Sequence, residues 1–332
     1  MAESSTDRFV CIVGAPRSGT TSLSTYLREH SGICFSAVKE PHYFSQHDLT
    51  GLAEEALRAR VEQEYLGRFY PDRNGDGRML AEGSVSYLYT PEQMAAVVRM
   101  WPEARFVLAV RNPLDMLPSL HQRLLFIGSE VVPDFETAWA LCADRRAGHS
   151  IPRTCPDARW LLYDEIGKIG AYVERFFAAV GRERCFVSVF DDILAEPKDV
   201  YRDLLAFLDL PYEERSDFVA QRPSQGFRSG ALQRLLKRPP RVVGAAMGGE
   251  KYFQRMRRLD DAQRPPPVLV RAVFAARRRL LDWNRTSPPP LRVSEAFREQ
   301  LADIFAPDVA RLSQLIERDL GHWVKGSRSA SV

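Results

Sequence analysis

With 332 residues, the chain has room for one large α/β domain or two small ones. Its composition, 45% hydrophobic and 27% charged, is ordinary for a soluble globular protein. A formal net charge of +3 is too small to argue for nucleic acid, and no apolar run approaches the ~20 residues that a membrane-spanning helix needs.

Met1 to Asp7 is short and polar, so no secretory signal is expected and a cytoplasmic location is read. The five cysteines, Cys11, Cys34, Cys142, Cys155 and Cys185, are scattered and lack a C-x-x-C pair. They are expected to be reduced, buried thiols. The six histidines lack metal-ligand spacing, and no metal is expected.

Phe9-Val10-Cys11-Ile12-Val13 is an unbroken apolar run, the pattern of a strand buried on both faces. Gly14-Ala15-Pro16-Arg17-Ser18-Gly19-Thr20-Thr21 follows. Ser22 to Arg28 then places apolar groups at 23, 26 and 27, one face of a helix. Strand, glycine-bounded loop and helix make a phosphate cradle, with backbone N–H groups and the helix dipole directed at an anion. A nucleoside-triphosphatase loop would carry Lys at position 20. Here Thr20 stands there, and the cation lies inside the loop at Arg17. Next, Lys39-Glu40-Pro41-His42-Tyr43-Phe44 gathers a cation, a carboxylate and an imidazole. The residues alone leave two readings open, a solvated loop and a general base beside the anion loop.

Gly14 to Leu23 resembles the 5′-phosphosulfate loop of sulfotransferases that use 3′-phosphoadenosine 5′-phosphosulfate (PAPS), above all the bacterial members and the heparan sulfate sulfotransferases. The resemblance implies that Arg17, Ser18, Gly19, Thr20, Thr21 and Ser22 hold the co-substrate. It implies that Glu40, just before a His-aromatic-Phe run, is the catalytic base, with His42 orienting a group or sharing the proton. Farther on, Glu82-Gly83-Ser84-Val85-Ser86-Tyr87 stands where the family often has Glu-Lys-[Ser/Thr]-Pro-x-Tyr. Gly83 replaces the assisting lysine, so Lys39 or Arg17 has to supply that charge.

Further along the chain, Leu52 to Arg68 reads as helical, Met79 to Ser84 as a second strand, Pro91 to Met100 as a helix opened by proline, and Arg105 to Arg111 as a third strand. The helix that follows carries Leu114, Leu117, Leu120 and Leu124 on its apolar side. Arg111 and Ser119 resemble the family's 3′-phosphate motif, an arginine fork with a hydroxyl; a buried ion pair is the bland reading of Arg111. Asp134 to Ala147 and Tyr163 to Val180 read as helices, Cys185 to Phe190 as a fourth strand, and Val200 to Leu208 as another helix. This alternation predicts a parallel sheet covered on both faces.

After Pro211 the chain turns basic and rich in proline. Arg228 and Gly230 are candidates for a loop that folds over the nucleotide in the family. Arg255-Arg257-Arg258 and Arg277-Arg278-Arg279 accompany Val270, Val273, Phe274, Leu280 and Leu281; a solvated helix face is favoured over membrane contact. Glu295 to Leu320 reads as a terminal helix packed by Trp323. The expected fold is thus α/β, a P-loop-like central parallel sheet flanked by helices on both faces. One sulfotransferase domain is expected over 1–332, with a core of about 8–210 and a basic, helical part over 211–332. The expected reaction moves the sulfuryl group of PAPS to a hydroxyl of a sugar, lipid or small-molecule acceptor and leaves 3′,5′-ADP. A P-loop kinase or NTPase, or an inactive nucleotide-binding protein, is the alternative.

Overall fold

Phe9–Ile12 forms strand β1 in the computed structural model, which describes residues 8–218, 226–237, 268–287 and 293–325, with side chains from Ala275 onward in the helix that begins at Val268. It is followed by helix α1 (Thr20–Arg28), strand β2 (Ile33–Phe35), the one-turn helix α2 (Tyr43–Gln46) and strands β3 (Met79–Gly83), β4 (Arg105–Val110) and β5 (Cys185–Val189). The five strands pair in parallel in the order β2-β3-β1-β4-β5. From β1 the chain runs to one side for β2 and β3, then crosses to the other side for β4. The carboxyl end of β1 is therefore the switch point of the sheet, where open α/β folds bind their ligands.

Strand side chains alternate between two covered faces. On one, Val10, Ile12, Ala81, Val107 and Ala109 pack with Leu23, Tyr26 and Leu27 of α1 and with Tyr201, Leu204 and Leu205 of the helix Pro197–Phe207. On the other, Phe9 stacks on Trp101 at 4.3 Å between ring centroids, and Phe106 meets Phe176 of the helix Ile169–Val180 edge-on at 5.3 Å. Burial on both faces explains why these strands read as unbroken apolar runs. The α/β sheet flanked by helices is as expected. β2 was not, because three residues carry too little pattern.

Several helices are shorter than expected. The stretch from Tyr163 to Val180 is two helices, Tyr163–Ile166 and Ile169–Val180. A Cβ at Gly167 would lie 2.4 Å from the Phe305 ring, and the Asp308 carboxylate accepts the N–H groups of Gly170 and Ala171 at 2.7 and 2.9 Å, capping a helix that starts there. Asp134 is an N-cap, accepting the Thr137 N–H at 2.7 Å, and the segment splits into Phe135–Ala140 and Cys142–Arg146. Leu52 to Arg68 holds a π-helical turn, Val61–Leu66, between Glu54–Arg60 and Gly67–Phe69. The terminal helix runs over Glu295–Leu315, and Trp323 is buried with its indole N–H on Asp191 at 2.8 Å.

The described residues fall into two compact units, one within Met1–Asn112, Lys168–Gln221 and Ala306–Trp323, the other within Pro113–Gly167, Arg222–Phe305 and Val324–Val332. The first holds the sheet. In the second, Leu114, Leu117, Leu120 and Leu124 of the helix Pro113–Ile127 are buried. A buried Arg145–Glu130 pair at 2.9 Å takes a third bond from the Tyr163 hydroxyl. Arg277 departs from a solvated face: it is buried and donates to the Leu236 carbonyl at 2.8 Å, while Arg278 and Arg279 are exposed. Four cysteines are buried free thiols as expected; Cys155 is only partly buried. Arg222, Pro223, Arg238 to Pro240, Arg255, Arg257, Arg258 and the side chains of Val270, Val273 and Phe274 lie outside the described residues. No described helix is long and apolar enough to cross a membrane.

Candidate active site

The loop after β1 begins as an extension of the sheet. Val13 and Ala15 donate to the carbonyls of Val107 and Ala109, and Leu88 donates to Val13 on the other side. The chain then turns through two left-handed residues, Arg17 at φ 64° and Gly19 at φ 85°. Such closely spaced reversals point peptide N–H groups into one concavity, a nest for an anion. The conformation costs an ordinary residue about 1–2 kcal/mol, and Arg17 is held in it from outside: Arg111 Nη1 donates to the Arg17 carbonyl at 2.9 Å. The Arg111 guanidinium in turn lies 4.4 Å from the centre of the Phe190 ring.

Both loop glycines are closely packed by neighbouring side chains. A Cβ at Gly14 would meet Leu88 Cδ2 at 2.9 Å, and one at Gly19 would meet Ile193 Cδ1 at 2.6 Å. Gly19 is also the N-cap of α1 and supplies no side-chain cap, and the first turn has no acidic residue. The first helical bond is from Leu23 N–H to the Gly19 carbonyl. The N–H groups of Thr20, Thr21 and Ser22 precede it and are left to face the concavity with the positive end of the helix dipole. Ser18, Thr20 and Ser22 are buried at this end, and Ser24 and Thr25 turn their hydroxyls back to the carbonyls of Thr20 and Thr21. A phosphate or sulfate fits a cradle built this way.

Glu40 lies in the segment beside the end of β3, which is anchored when Gly83 N–H donates to the Lys39 carbonyl at 3.2 Å. Lys39 Nζ bonds Glu40 Oε1 at 2.7 Å, and His42 Nε2 stands 4.0 Å from Glu40 Oε2. The Glu40 side chain is 40% exposed, so it remains open to a second molecule. His42 is strained, at φ 55°, and its Nδ1 hydrogen-bonds Ser86 Oγ at 2.7 Å. Left-handed non-glycine residues gather at functional sites, and Arg17 and His42 are both candidates from the sequence.

At Gly83, where a lysine was missed, a Cβ would lie 2.9 Å from Ser24 Oγ and 3.5 Å from Ile12 Cβ. A lysine does not fit under α1 unless Ser24 moves. Lys39 and Arg17, the two cations expected to supply that charge, lie in the neighbouring loops, Lys39 paired with Glu40.

The first unit thus brings together Arg17 to Ser22, Lys39, Glu40, His42 and Arg111 along the carboxyl edge of one sheet. Ser119 is buried on the helix Pro113–Ile127, and Arg228 and Gly230 adjoin the helix Gly230–Lys237, all in the second unit. There, Arg228 donates its N–H to the Asn284 carbonyl at 2.8 Å and lies 5.5 Å from the Trp283 ring. Among the described residues, no group of three His, Cys, Asp or Glu is placed to hold a metal.

Glu82 was passed over in the sequence. It is fully buried on the face of β3 opposite to Gly83, and it accepts from the hydroxyls of Tyr65, Tyr87 and Ser84 at 2.9, 2.8 and 2.7 Å. Burial pushes its carboxyl up to about 7; the three hydroxyls pull it down, and the Glu40 charge adds to the rise. Burial, together with the Glu82 charge, also raises the Cys11 thiol. A carboxylate in a strand followed within five residues by two serines and a tyrosine was the available signal.

Residues 10–145 match the model of a sulfotransferase family. The structure is similar to a sulfotransferase from Alicyclobacillus acidocaldarius, with a TM-score of 0.62 and 24% identity over 95% of this chain and 97% of that one. It also matches the sulfotransferase domain of an olefin synthase from Synechococcus PCC 7002, at 15% identity over 79% and 96% of the two chains, with a TM-score of 0.39. No curated protein matches the sequence. The stretch that bears the anion loop, Glu40, Arg111 and Ser119 has the sequence pattern of the sulfotransferase family, and the chain has the fold of a bacterial sulfotransferase.

Proposed function

We propose that this protein moves the sulfuryl group of PAPS to a hydroxyl of a sugar, lipid or small-molecule acceptor and releases 3′,5′-ADP. The observation that carries this reading is the strained, glycine-bounded cradle at the sheet's switch point, with a partly exposed carboxylate in the loop beside the end of the neighbouring strand. PAPS supplies an activated sulfuryl group on a phosphate leaving group.

The N–H groups at the start of α1 bind the 5′-phosphosulfate, and Arg17 neutralises charge that develops on the leaving phosphate. Glu40 takes the proton of the acceptor hydroxyl as its oxygen attacks sulfur in line, and the proton ends on the Glu40 carboxyl. Lys39 holds Glu40 Oε1 at 2.7 Å and so orients the carboxylate. His42 is engaged through Nδ1 with Ser86, which fixes its ring and suits the orienting role. The Arg111 and Ser119 assignment to the 3′-phosphate rests on the sequence pattern, with Arg228 and Gly230 as candidates to cover the nucleotide. An arginine guanidinium beside a hydroxyl is the pairing that suits a phosphate monoester.

The test is a panel of hydroxylated acceptors incubated with sulfur-labelled PAPS. Label is expected to pass to at least one acceptor, with 3′,5′-ADP formed in equal amount. ATP turnover with no response to PAPS would overturn the reading.

A further inference from the structure

We propose that Glu82 is a positioning residue, whose carboxylate acts through Ser84 and Tyr87 to hold the turn at His42 and so to aim Glu40. The proposal rests on the reading of Glu40 as the base, and its geometry stands independently of that reading.

The two oxygens of Glu82 have separate tasks. Oε2 accepts from Ser84 Oγ at 2.7 Å, and the same Ser84 oxygen accepts the His42 N–H at 2.9 Å. Oε1 accepts from the Tyr87 hydroxyl at 2.8 Å, and that oxygen accepts the Phe44 N–H at 3.2 Å. Two hydroxyls therefore relay one buried carboxylate to two backbone N–H groups on either side of Tyr43. Between them sits the left-handed His42, at φ 55°. A strained residue persists only where its surroundings hold it, and these two bonds grip it from both sides. Tyr65 donates to Oε1 as well and fixes the carboxylate itself.

The arrangement needs an acceptor at Glu82. Each relay hydroxyl has one proton, and a carboxylate lets both hydroxyls point it inward while their lone pairs receive the backbone. A neutral amide at 82 presents an N–H₂ to one of these oxygens, and that hydroxyl proton then loses its acceptor. The cost falls on a buried group that no water reaches. Such a carboxylate is expensive to bury, and a site that only packed β3 would be served by an apolar side chain.

The experiment is hydrogen exchange read by mass spectrometry on peptides that cover residues 39–45 and 14–21, in the full chain at pH 8, where the Glu82 carboxyl is ionised. Glu82→Gln and Ser84→Ala are each expected to speed exchange over 39–45 about tenfold, with 14–21 unchanged. Ser84→Thr, which keeps the hydroxyl, is expected to retain the wild-type protection. In turnover, Glu82→Gln should lower kcat about 10²-fold with the KM for PAPS unaltered, the mark of a displaced catalytic group. Should Glu82→Gln not fold, the Ser84→Ala and Ser84→Thr pair carries the same test.

Protection over 39–45 equal to wild type in folded Glu82→Gln or Ser84→Ala overturns the proposal, as does equally faster exchange over both peptides. Loosening at 39–45 in a protein whose Glu40→Gln variant keeps full activity would uphold the tether and refute only the role of Glu40.

Discussion

The anion loop and the Glu40 segment lie at the same edge of the same sheet, yet they are held in shape by different means. The loop at 14–21 is shaped largely by backbone: two glycines packed closely against Leu88 and Ile193, a carbonyl pinned by Arg111, and a helix start without a side-chain cap. The segment at 39–44 has no glycine and takes its turn at a histidine, held by side-chain hydroxyls that converge on a buried carboxylate. Binding an anion needs many fixed N–H dipoles, which backbone supplies. Proton transfer needs one group aimed at one atom, which side chains supply. Substitutions that disturb the loop backbone should therefore weaken binding, while those of the Glu40 segment, and of Arg17 within the loop, should weaken turnover.

The largest expected effect is at Glu40. Glu40→Gln keeps the shape and loses the base, and turnover should fall by about 10²–10⁴-fold, while 3′,5′-ADP still raises the melting temperature as in wild type. His42→Ala is the control. An active Glu40→Gln beside a dead His42→Ala would move the base to the histidine.

Gly19→Ala should do the reverse. The left-handed backbone and the 2.6 Å approach to Ile193 together should cost about 1–3 kcal/mol, read as a lower midpoint in urea. Stabilisation by 3′,5′-ADP should be largely lost, because the methyl group disturbs the start of α1. A variant with normal nucleotide binding would show that the nest is not what holds the anion.

These two regions were not equally legible in the sequence. Gly14, Gly19 and the apolar run before them announce the loop, since the constraint is local and steric. The strands at 79–83, 105–110 and 185–189 were legible for a similar reason, as they are buried on both faces. Lys39 to Phe44 could be read only through resemblance, because what shapes it comes from Glu82, Ser84 and Tyr87, about 40 residues away along the chain. The helix break before Ile169 has the same origin, an Asp308 cap that no local pattern contains.

A smaller effect separates the segment's anchor from the rest of the core. Burial pushes the Glu82 carboxyl from the ordinary glutamate value of 4.5 up to about 7. Between those two values the folded chain binds a proton that the unfolded chain has released, so this group's contribution to stability falls as pH rises through the window. Wild type should lose stability from pH 5 to pH 8 relative to Glu82→Gln, which has no such proton; urea midpoints at the two pH values measure it. An equal pH dependence in the two proteins would mean that Glu82 ionises like a solvated carboxyl.

The central claim is that this cradle takes the nucleotide of PAPS, and thermal melting with two product-like nucleotides tests it without knowledge of the acceptor. A ligand that binds only the native state raises the melting point according to its affinity. If Arg111 and Ser119 read a 3′-phosphate, 3′,5′-ADP should stabilise the protein far more than 5′-ADP at the same concentration. Equal shifts with the two nucleotides, or none with either, would contradict the account.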